Sequence, residues 1–319
     1  MTTRNQSPGP EGEPVSVFTG IHALDLGFMG TDGVIAAYLL AGDDELALIE
    51  TGPSSTRSAL EAGIGALGYR LRDLSRIIVT HIHFDHAGAA GSILRDCPDA
   101  RLSVHPVGLP HLVDPTRLVA SATRIYGDRM DELWGSIIPV PDDRVDVLKD
   151  GETVRAGGRH LRVLFTPGHA AHHAALFDES SGTLFSGDVG GVRIQGTGFV
   201  SPPTPPPEFD RDAWRSSVRV MRDVRPARLA LSHFGVFPDV DAHFDRLERA
   251  LDDVTRIARE TLTAESDTTL LTERLLAYAG KSDGRMSNDA TMRRLELANP
   301  AFMGALGLHR YLRKRGELG

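Results

Sequence analysis

The sequence predicts an α/β fold, in which helices and strands pack in layers, with a helical C-terminal extension. Between residues 15 and 240, short apolar runs bounded by Gly, Pro and Asp alternate with segments of helical periodicity. Beyond residue 240, apolar side chains recur with a period of about 3.6 residues, which is typical of helices packed on one face. We therefore expect a disordered polar tail at 1–14, a layered domain at 15–240 and a helical region at 241–319.

The elements of the first half follow from apolar runs that are separated by turn residues. A Gly-Asp-Asp turn at 42–44 separates two strands, and Ser54 or its neighbour begins a helix as a capping residue. Residues 107–138, whose apolar side chains recur at loosely helical spacing, are predicted to form a helical insertion. The predicted strands lie near 15–19, 33–41, 45–49, 76–80 and 100–105. One predicted helix ends near residue 67, and a second spans 88–96.

The second half continues the same alternation of strands and helices. The proline-rich run at 201–207 predicts an extended loop, because proline lacks the backbone N–H that helices and central strands need. Strands are predicted within 142–153 and at 160–166, 174–178, 183–186 and 228–232. Helices are predicted at 210–223 and, in the C-terminal extension, near 244–257, 270–279, 289–297 and 299–312.

The composition excludes several classes of protein. The chain has 319 residues, a net charge of −8 and no lysine- or arginine-rich block, so nucleic acid is not an expected partner. A single cysteine, Cys97, excludes an internal disulfide. Because we see no apolar leader and no apolar run of about 18 residues, we expect a cytoplasmic protein without membrane contact. The helical C-terminal region could support a homodimer.

The segment from Thr80 to Gly88 carries four metal-competent side chains within six positions. It follows the apolar run at 76–79, which predicts a buried strand. Side chains alternate along a strand, so His81 and His83 point to the same side just past its end. Asp85 and His86 follow where the chain turns toward a helix. Ionisable side chains at the rim of a sheet need partners, and this spacing favours a metal site over packing.

Three later strand ends repeat this context, in which an apolar run is followed by Gly or Ser and then a ligand-type residue. They carry His169, Asp188 and His233. With the first segment they make seven candidate ligands, all imidazoles or carboxylates, a set that suits Zn²⁺ and tolerates Mn²⁺, Fe²⁺ or cobalt. Seven ligands are too many for one tetrahedral ion. Two divalent metal ions that share a carboxylate fit the number better.

The motif H-x-H-x-D-H at 81–86, with the three later ligands in order, strongly resembles that of the metallo-β-lactamase-fold metallo-hydrolases. The resemblance covers roughly residues 15–240 and points to the glyoxalase II-like branch, in which an acid such as Asp188 bridges two metals. It implies a four-layer αββα sandwich with the site at the edge of the sheets. It also implies that one metal is held by His81, His83 and His169, and the other by Asp85, His86 and His233.

The resemblance implies a binuclear hydrolase that attacks a small ester or thioester with a hydroxide held between the metals. Asp85 is expected to orient this hydroxide and to pass a proton to the leaving group. Within the same fold, lactonase and phosphodiesterase activities stay open. A mononuclear-iron oxygenase of the persulfide dioxygenase type is a further alternative, and a relative that binds metal without turnover is a third.

Six other residues are expected to support or line the site. Glu50 stands where the family usually has Asp and is expected to orient a ligand histidine from behind. His173 is expected to hydrogen-bond within the loop that carries His169. Long insertions often carry function, so part of the pocket for a small-molecule substrate is placed in the 107–138 insertion. The expected pocket residues are Tyr126, Met130, Trp134 and, close after the bridging acid, Arg193.

Overall fold

The computed structural model describes residues 14–263 and 265–318. It confirms the predicted α/β class: two sheets pack face to face, and helices cover both outer faces in an αββα arrangement. The predicted tail at 1–14 lies outside the described residues except for Pro14. The domain boundary at residue 240 and the bounds of the insertion at 107–138 remain predictions. Helices lie on both sides of residue 240 and within 107–138.

The first sheet has seven strands in sequential order, antiparallel from the first to the fourth and parallel from the fourth onward. At the carboxyl end of the parallel strand β5, the chain continues into the segment that contains His81. The strands are β1 (Val15–Phe18), β2 (Ile21–Asp25), β3 (Ala36–Ala41), β4 (Leu46–Ile49), β5 (Leu74–Ile78), β6 (Arg101–Val104) and β7 (Val145–Val147).

The second sheet has six strands in the order β13-β12-β11-β10-β9-β8. Because β9 and β11 are each antiparallel to β10, they run in the same direction, and β12 is parallel to β11. The carboxyl ends of these three strands therefore lie at one edge. The strands are β8 (Thr153–Ala156), β9 (Arg159–Phe165), β10 (Ala174–Asp178), β11 (Thr183–Phe185), β12 (Arg228–Leu231) and β13 (Gly235–Phe237).

Eleven α-helices lie in the part of the chain that the structure describes. Three of them, α4 to α6, lie within 107–138, and α8 to α11 form the confirmed helical C-terminal region. They are α1 (Arg57–Ala66), α2 (Phe84–Ala87), α3 (Ala90–Asp96), α4 (Leu109–Val113), α5 (Thr116–Tyr126), α6 (Met130–Trp134), α7 (Arg211–Asp223), α8 (Val240–Thr261), α9 (Thr269–Ser282), α10 (Asp289–Ala298) and α11 (Ala301–Lys314). No helix among the described residues is long and apolar enough to cross a bilayer.

Three apolar cores hold the layers together. Along β3, Tyr38 and Leu40 lie in the core between the two sheets, whereas Leu39 belongs to the core under the helices outside the first sheet. This alternation follows from the two-residue period of a strand. The third core places Trp214 of α7 and Phe244 of α8 against the outer face of the second sheet. Burial on both faces explains why the central strands are continuous apolar runs.

Two strands, β2 and β13, are absent from the sequence prediction, and β8 overlaps the predicted strands only at Thr153. β2 reads Ile-His-Ala-Leu-Asp, which mixes polar and apolar residues, and it forms because β1 and β3 pair with it on both sides. β13 has only three residues and begins with glycine. In both strands the pairing partner, rather than local propensity, supplies the stabilisation.

Candidate metal centre

The seven predicted ligands meet at one edge of the sandwich. They follow β5 of the first sheet and β9, β11 and β12 of the second. The two sheets are joined at this edge, where the Ala174 backbone N–H donates to the Thr80 carbonyl at 2.8 Å. After β5 the chain bends at His81 and again at His83, and Ile82 between them is buried. Asp85 and His86 then lie in the short helix α2.

Two glycines allow the backbone to approach closely beside the ligands. Gly168 has a φ of 139°, and a Cβ there would lie 2.4 Å from the Cα of Trp214. Gly187 has a φ of 50°, and a Cβ there would lie 2.4 Å from Nε2 of His173. Side chains at these positions would clash and strain the backbone. The glycines before His169 and Asp188 are therefore needed to bring those ligands inward.

One group of three nitrogens is formed by His81, His83 and His169, here named the three-histidine group. Nδ1 of His83 lies 3.0 Å from Nε2 of His81 and 2.9 Å from Nε2 of His169. Nitrogens bound to one tetrahedral zinc ion lie about 3.3 Å apart, given Zn–N bonds of about 2.0–2.1 Å. The spacing is thus close to that of ligands around one ion, and all three atoms lie within 4.8 Å of one another.

A second group, here named the mixed group, consists of Asp85, His86 and His233. Nε2 of His233 lies 3.3 Å from Oδ2 of Asp85, and Nε2 of His86 lies 3.6 Å from the same oxygen. Asp188 lies between the groups, with Oδ2 at 3.3 Å from His169 Nε2 and Oδ1 at 3.3 Å from His86 Nε2. The structure therefore brings all seven predicted ligands together.

Three buried polar atoms of this cluster have no hydrogen-bond partner among the described residues. They are Nε2 of His86, Nε2 of His233 and Oδ1 of Asp188. Buried polar atoms without a partner are costly, and a shared ligand is one reason for them to persist. Their side chains are at most 6% exposed. The donor set and its orphaned atoms fit divalent metal ions.

Two of the imidazoles are fixed from behind by backbone carbonyls. Nδ1 of His169 donates to the Pro203 carbonyl at 2.9 Å, and Nδ1 of His233 donates to the Val34 carbonyl at 2.8 Å. With each Nδ1 engaged in this way, each Nε2 is the nitrogen that faces the cluster and would bind a metal ion.

Glu50 supports both groups, as expected from the sequence. Its Oε1 accepts hydrogen bonds from Nδ1 of His86 at 3.1 Å, from Oγ1 of Thr80 at 2.5 Å and from Oγ of Ser232 at 3.1 Å. Thr80 in turn accepts from Nδ1 of His81 at 3.0 Å. Glu50 is 1% exposed and has a φ of 65°, a left-handed conformation that costs a non-glycine residue about 1–3 kcal/mol. The buried hydrogen bonds hold it there.

His173 lies behind the loop that carries Asp188. Its Nδ1 is 2.8 Å from Oγ1 of Thr166, and its Nε2 accepts from the backbone N–H of Val189 at 3.4 Å. Nε2 of His243 likewise donates to the Gly190 carbonyl at 2.8 Å, in the turn that follows Asp188. These contacts fix the backbone on either side of the carboxylate.

The two groups differ in charge. Burial and the neighbouring His169 lower the pKa of His83 to about 3, so this imidazole is neutral at pH 7. Burial lowers the pKa of His86, but the carboxylates of Asp188 and Asp85 outweigh it and hold this pKa well above the ordinary value. Burial raises the pKa of Asp85, yet His86 and His233 more than offset this and lower it to about 2. The mixed group is therefore ionic.

A cavity of about 460 Å³ opens beside both groups, and His83 and Asp85 line it. Tyr126 and Trp134, which the sequence places in a substrate pocket, also line this cavity. Met130 is absent from the lining and packs, partly buried, against the core beneath the neighbouring helices.

The structure does not place Arg193 at this cavity. Its guanidinium binds Asp239 at 2.8 Å and lies 4.1 Å from the ring centre of Phe237, and the residue lines a separate cavity. Its backbone N–H donates to the His233 carbonyl, so the backbone stays near the cluster while the side chain points toward Asp239. Closeness along the chain to Asp188 was therefore a misleading signal.

Several residues around the cluster were not found from the sequence. Thr80 and Ser232, which bond Glu50, each directly precede a ligand histidine, and this adjacency was a usable signal. Phe302 and Met303 of α11 line the cavity although they follow Asp85 by more than 200 residues. Nothing in their local sequence indicates this position.

Comparisons with known proteins agree with the fold and the ligand motif. Residues 30–233 match the metallo-beta-lactamase superfamily. The metallo-beta-lactamase fold-containing protein ST1585 of Sulfurisphaera tokodaii is 26% identical over 220 residues, 68% of this chain and 79% of that protein. A hydroxyacylglutathione hydrolase of Synechococcus sp. is 33% identical over 154 residues, so the match covers 48% of this chain and 47% of that protein.

Among solved structures, the metallo-beta-lactamase family protein TTHA1429 of Thermus thermophilus superimposes with a TM-score of 0.71 at 25% identity, covering 94% of this chain and 95% of the other. A beta-lactamase domain protein of Burkholderia ambifaria gives a TM-score of 0.66 at 22% identity, covering 98% and 92%. Proteins of this fold family are mostly metal-dependent hydrolases. The matched range, the shared sandwich and the His/Asp cluster show that the chain belongs to the metallo-beta-lactamase superfamily.

Proposed function

We propose that this chain is a metal-dependent hydrolase that holds two divalent ions and cleaves the acyl bond of a small thioester or related ester. The position of Asp188 carries the proposal. One of its oxygens lies 3.3 Å from Nε2 of His169 and the other lies 3.3 Å from Nε2 of His86. A single carboxylate thus faces both groups of donors, as a hydrolase with two metals requires.

The donors favour zinc, with manganese or iron as alternatives, because imidazole and carboxylate are combined without a thiolate. The three-histidine group would hold one ion, the mixed group the other, and Asp188 both. Two such ions would lower the pKa of a water molecule and supply hydroxide near neutral pH.

Asp85 is the carboxylate best placed to move a proton. It lines the cavity and is 21% exposed, whereas Asp188 is 6% exposed. We assign to Asp85 the orientation of the attacking water and the transfer of its proton to the leaving group. Water adds to the carbonyl carbon, the C–S or C–O bond breaks, and the products are a carboxylic acid and a thiol or an alcohol.

Thioesters are the first substrate class to test. The chain matches several hydroxyacylglutathione hydrolases and an atrochrysone carboxyl ACP thioesterase of Aspergillus fumigatus, whose names describe thioester cleavage. The match covers 47% of the first, 34% of the second and 31% of the third, so their thiol partners do not transfer to this chain.

Elemental analysis of untagged protein, followed by a panel of thioesters, lactones and phosphodiesters, tests the proposal. We expect about two zinc or manganese ions per chain, as in two-metal sites, and hydrolysis of thioesters or esters. His81→Ala should lose metal and activity. His160→Ala, the same substitution at an exposed histidine, should keep both.

Two results would contradict the proposal. Metal-loaded protein that hydrolyses no member of the panel would remove the hydrolase assignment. A single iron per chain together with oxygen consumption would support a mononuclear-iron oxygenase instead.

A further inference from the structure

The cavity beside the metal-competent cluster is assembled from three distant parts of the chain. Helices α5 and α6 form one wall, the proline loop at 203–207 forms a second, and the junction of α10 and α11 around Pro300 forms a third. His83, Asp85, His169 and Asp188 lie in the same lining. A molecule in this cavity therefore touches the cluster that would act on it.

Helix α5 presents an apolar face to the cavity. Leu118, Ala122, Ile125 and Tyr126 line the cavity and recur at intervals of three and four residues, so they share one face of the helix. None of the eleven residues of α5 is fully buried, and Leu118, Ala122 and Tyr126 pack only in part against the neighbouring core. The rest of this face is available to a ligand.

The part of the wall that α11 forms is also apolar. Phe302 and Met303 line it, and the Phe302 ring packs edge-on against the Tyr126 ring, with centroids 6.5 Å apart at 81°. The Trp134 ring, which also lines the cavity, lies 5.3 Å from the Tyr126 ring at 74°. Aromatic side chains from the insertion and from the C-terminal region thus contact each other in the cavity wall.

Three polar side chains of the lining, apart from the metal-competent ones, are engaged within the protein. Oε1 of Glu296 accepts from the Ala301 N–H at 3.1 Å, and Nδ2 of Asn299 donates to Oγ of Ser201 at 2.9 Å. Arg129 pairs with a neighbouring glutamate at 2.9 Å. Nε1 of Trp134, also in the lining, has no hydrogen-bond partner among the described residues. A hydrophilic acyl group would lose water against the apolar walls, which is unfavourable unless it regains its hydrogen bonds. An apolar group has no such cost.

We propose that this cavity binds an apolar acyl chain of several carbons and so makes the chain selective for hydrophobic acyl thioesters or esters over acetyl and hydroxyacyl ones. The inference rests on the proposed hydrolase function, because it places the acyl carbonyl at the metal-competent cluster. The volume of about 460 Å³ is in the range of small-molecule pockets. The helical insertion and the C-terminal region then set specificity, while the sandwich supplies the chemistry.

The test compares acetyl, hexanoyl, octanoyl and lactoyl thioesters of N-acetylcysteamine with metal-loaded full-length protein. Each buried methylene contributes about 0.8 kcal/mol, or about fourfold in kcat/KM. We expect kcat/KM to rise by about 100-fold or more from acetyl to octanoyl, which by this increment requires burial of about three to four of the added methylenes. The lactoyl thioester should be no better than the acetyl one.

A matched pair of variants on α5 locates the effect. Ala122→Phe fills the cavity and should lower kcat/KM for octanoyl by about tenfold or more relative to that for acetyl, since overpacking costs about 1–3 kcal/mol. Ala120→Phe, at an exposed position of the same helix, should change neither. Phe302→Ala, at a side chain that is 38% exposed, gives a second test because it removes part of the cavity wall that α11 forms. This variant should lower octanoyl turnover several-fold.

Calorimetric binding of octanoate and acetate to the same protein separates this inference from the proposed function. If no thioester is hydrolysed but octanoate binds more tightly than acetate and Ala122→Phe abolishes the difference, the acyl site stands and the hydrolase proposal fails. If hydrolysis occurs with no dependence on chain length, or if Ala122→Phe behaves like Ala120→Phe, the acyl site is wrong and the hydrolase proposal stands. If octanoate binds no more tightly than acetate and hydrolysis is absent, both are wrong.

Discussion

The three-histidine group and the mixed group lie side by side but achieve their geometry by different means. In the first, His83 is a neutral imidazole with its pKa lowered to about 3, and His169 is held from behind by a backbone carbonyl. In the second, Asp85 and Asp188 surround His86, whose pKa they raise, and a buried carboxylate lies behind that ring. A cation in the three-histidine group would bind uncharged imidazoles. A cation in the mixed group would instead replace the protons that the carboxylates of Asp85 and Asp188 hold on the neighbouring imidazoles.

The comparison also shows which carboxylates contact one group of ligands and which contact both. Asp188 faces both groups directly. Glu50 reaches both from behind, through His86 on one side and through Thr80 and His81 on the other. Asp85 belongs to the mixed group alone and also faces the cavity. Substitutions at Asp188, Glu50 and Asp85 should therefore change metal binding by the two groups to different extents.

Asp188→Asn should have the largest effect, because it removes the charge shared by the two groups. We expect loss of metal from both and a fall in hydrolysis of at least about 1000-fold, which elemental analysis and initial rates will measure. Asp178→Asn is the matched control, since Asp178 is buried in β10 and pairs with Arg159 at 2.6 Å, away from the cluster. Full metal content in Asp188→Asn would contradict its position between the ions.

Asp85→Ala should lower kcat by about 100- to 10,000-fold, the range for loss of a general acid or base. KM should change much less, because the cavity walls remain. Metal content should fall toward one ion per chain, since the three-histidine group is intact. Steady-state kinetics and elemental analysis on the same preparation give both numbers, and a variant with wild-type turnover would exclude the assigned role.

Glu50→Gln should weaken metal binding or activity by about 10- to 100-fold, as changes behind a ligand histidine do. With Oε1 kept as the amide oxygen, the amide nitrogen would replace Oε2, which accepts from the Thr80 backbone N–H at 3.2 Å, and the negative charge beside His86 would be lost. The mixed group should lose its ion first, because His86 bonds Glu50 directly. Chelator titration will reveal the order of loss, and Glu61→Gln, at an exposed position of α1, is the control. Simultaneous loss of both ions would show that the two groups are not separable.

His173→Ala should have the smallest effect on the cluster and act mainly on folding. The backbone N–H of Val189 and the hydroxyl of Thr166 would lose a buried partner, which costs about 1–3 kcal/mol of unfolding free energy. Urea denaturation should detect this change, with metal content still near that of the wild type. Loss of one ion in folded protein would instead show that His173 positions Asp188 for binding.

Much of the cluster could be predicted because its first part is continuous in sequence. Residues from His81 to His86 leave one strand and enter one helix turn, so local backbone geometry fixes their relative positions. The later ligands were found because strand ends on one edge converge. Arg193 was misplaced because closeness along the chain does not fix where a side chain points, and its guanidinium binds Asp239 instead.

The sequence by itself determined the α/β class, the seven metal-competent side chains and the presence of helices in the insertion and at the C-terminus, because each depends on local periodicity or on the ends of apolar runs. Only the tertiary structure decided what encloses the site. Tyr126 and Phe302 are far apart along the chain, yet their rings pack edge-on in the cavity wall, with centroids 6.5 Å apart. Their contact depends on how the insertion and α11 pack around the same edge of the sandwich, and such long-range packing leaves no periodic signal in either segment.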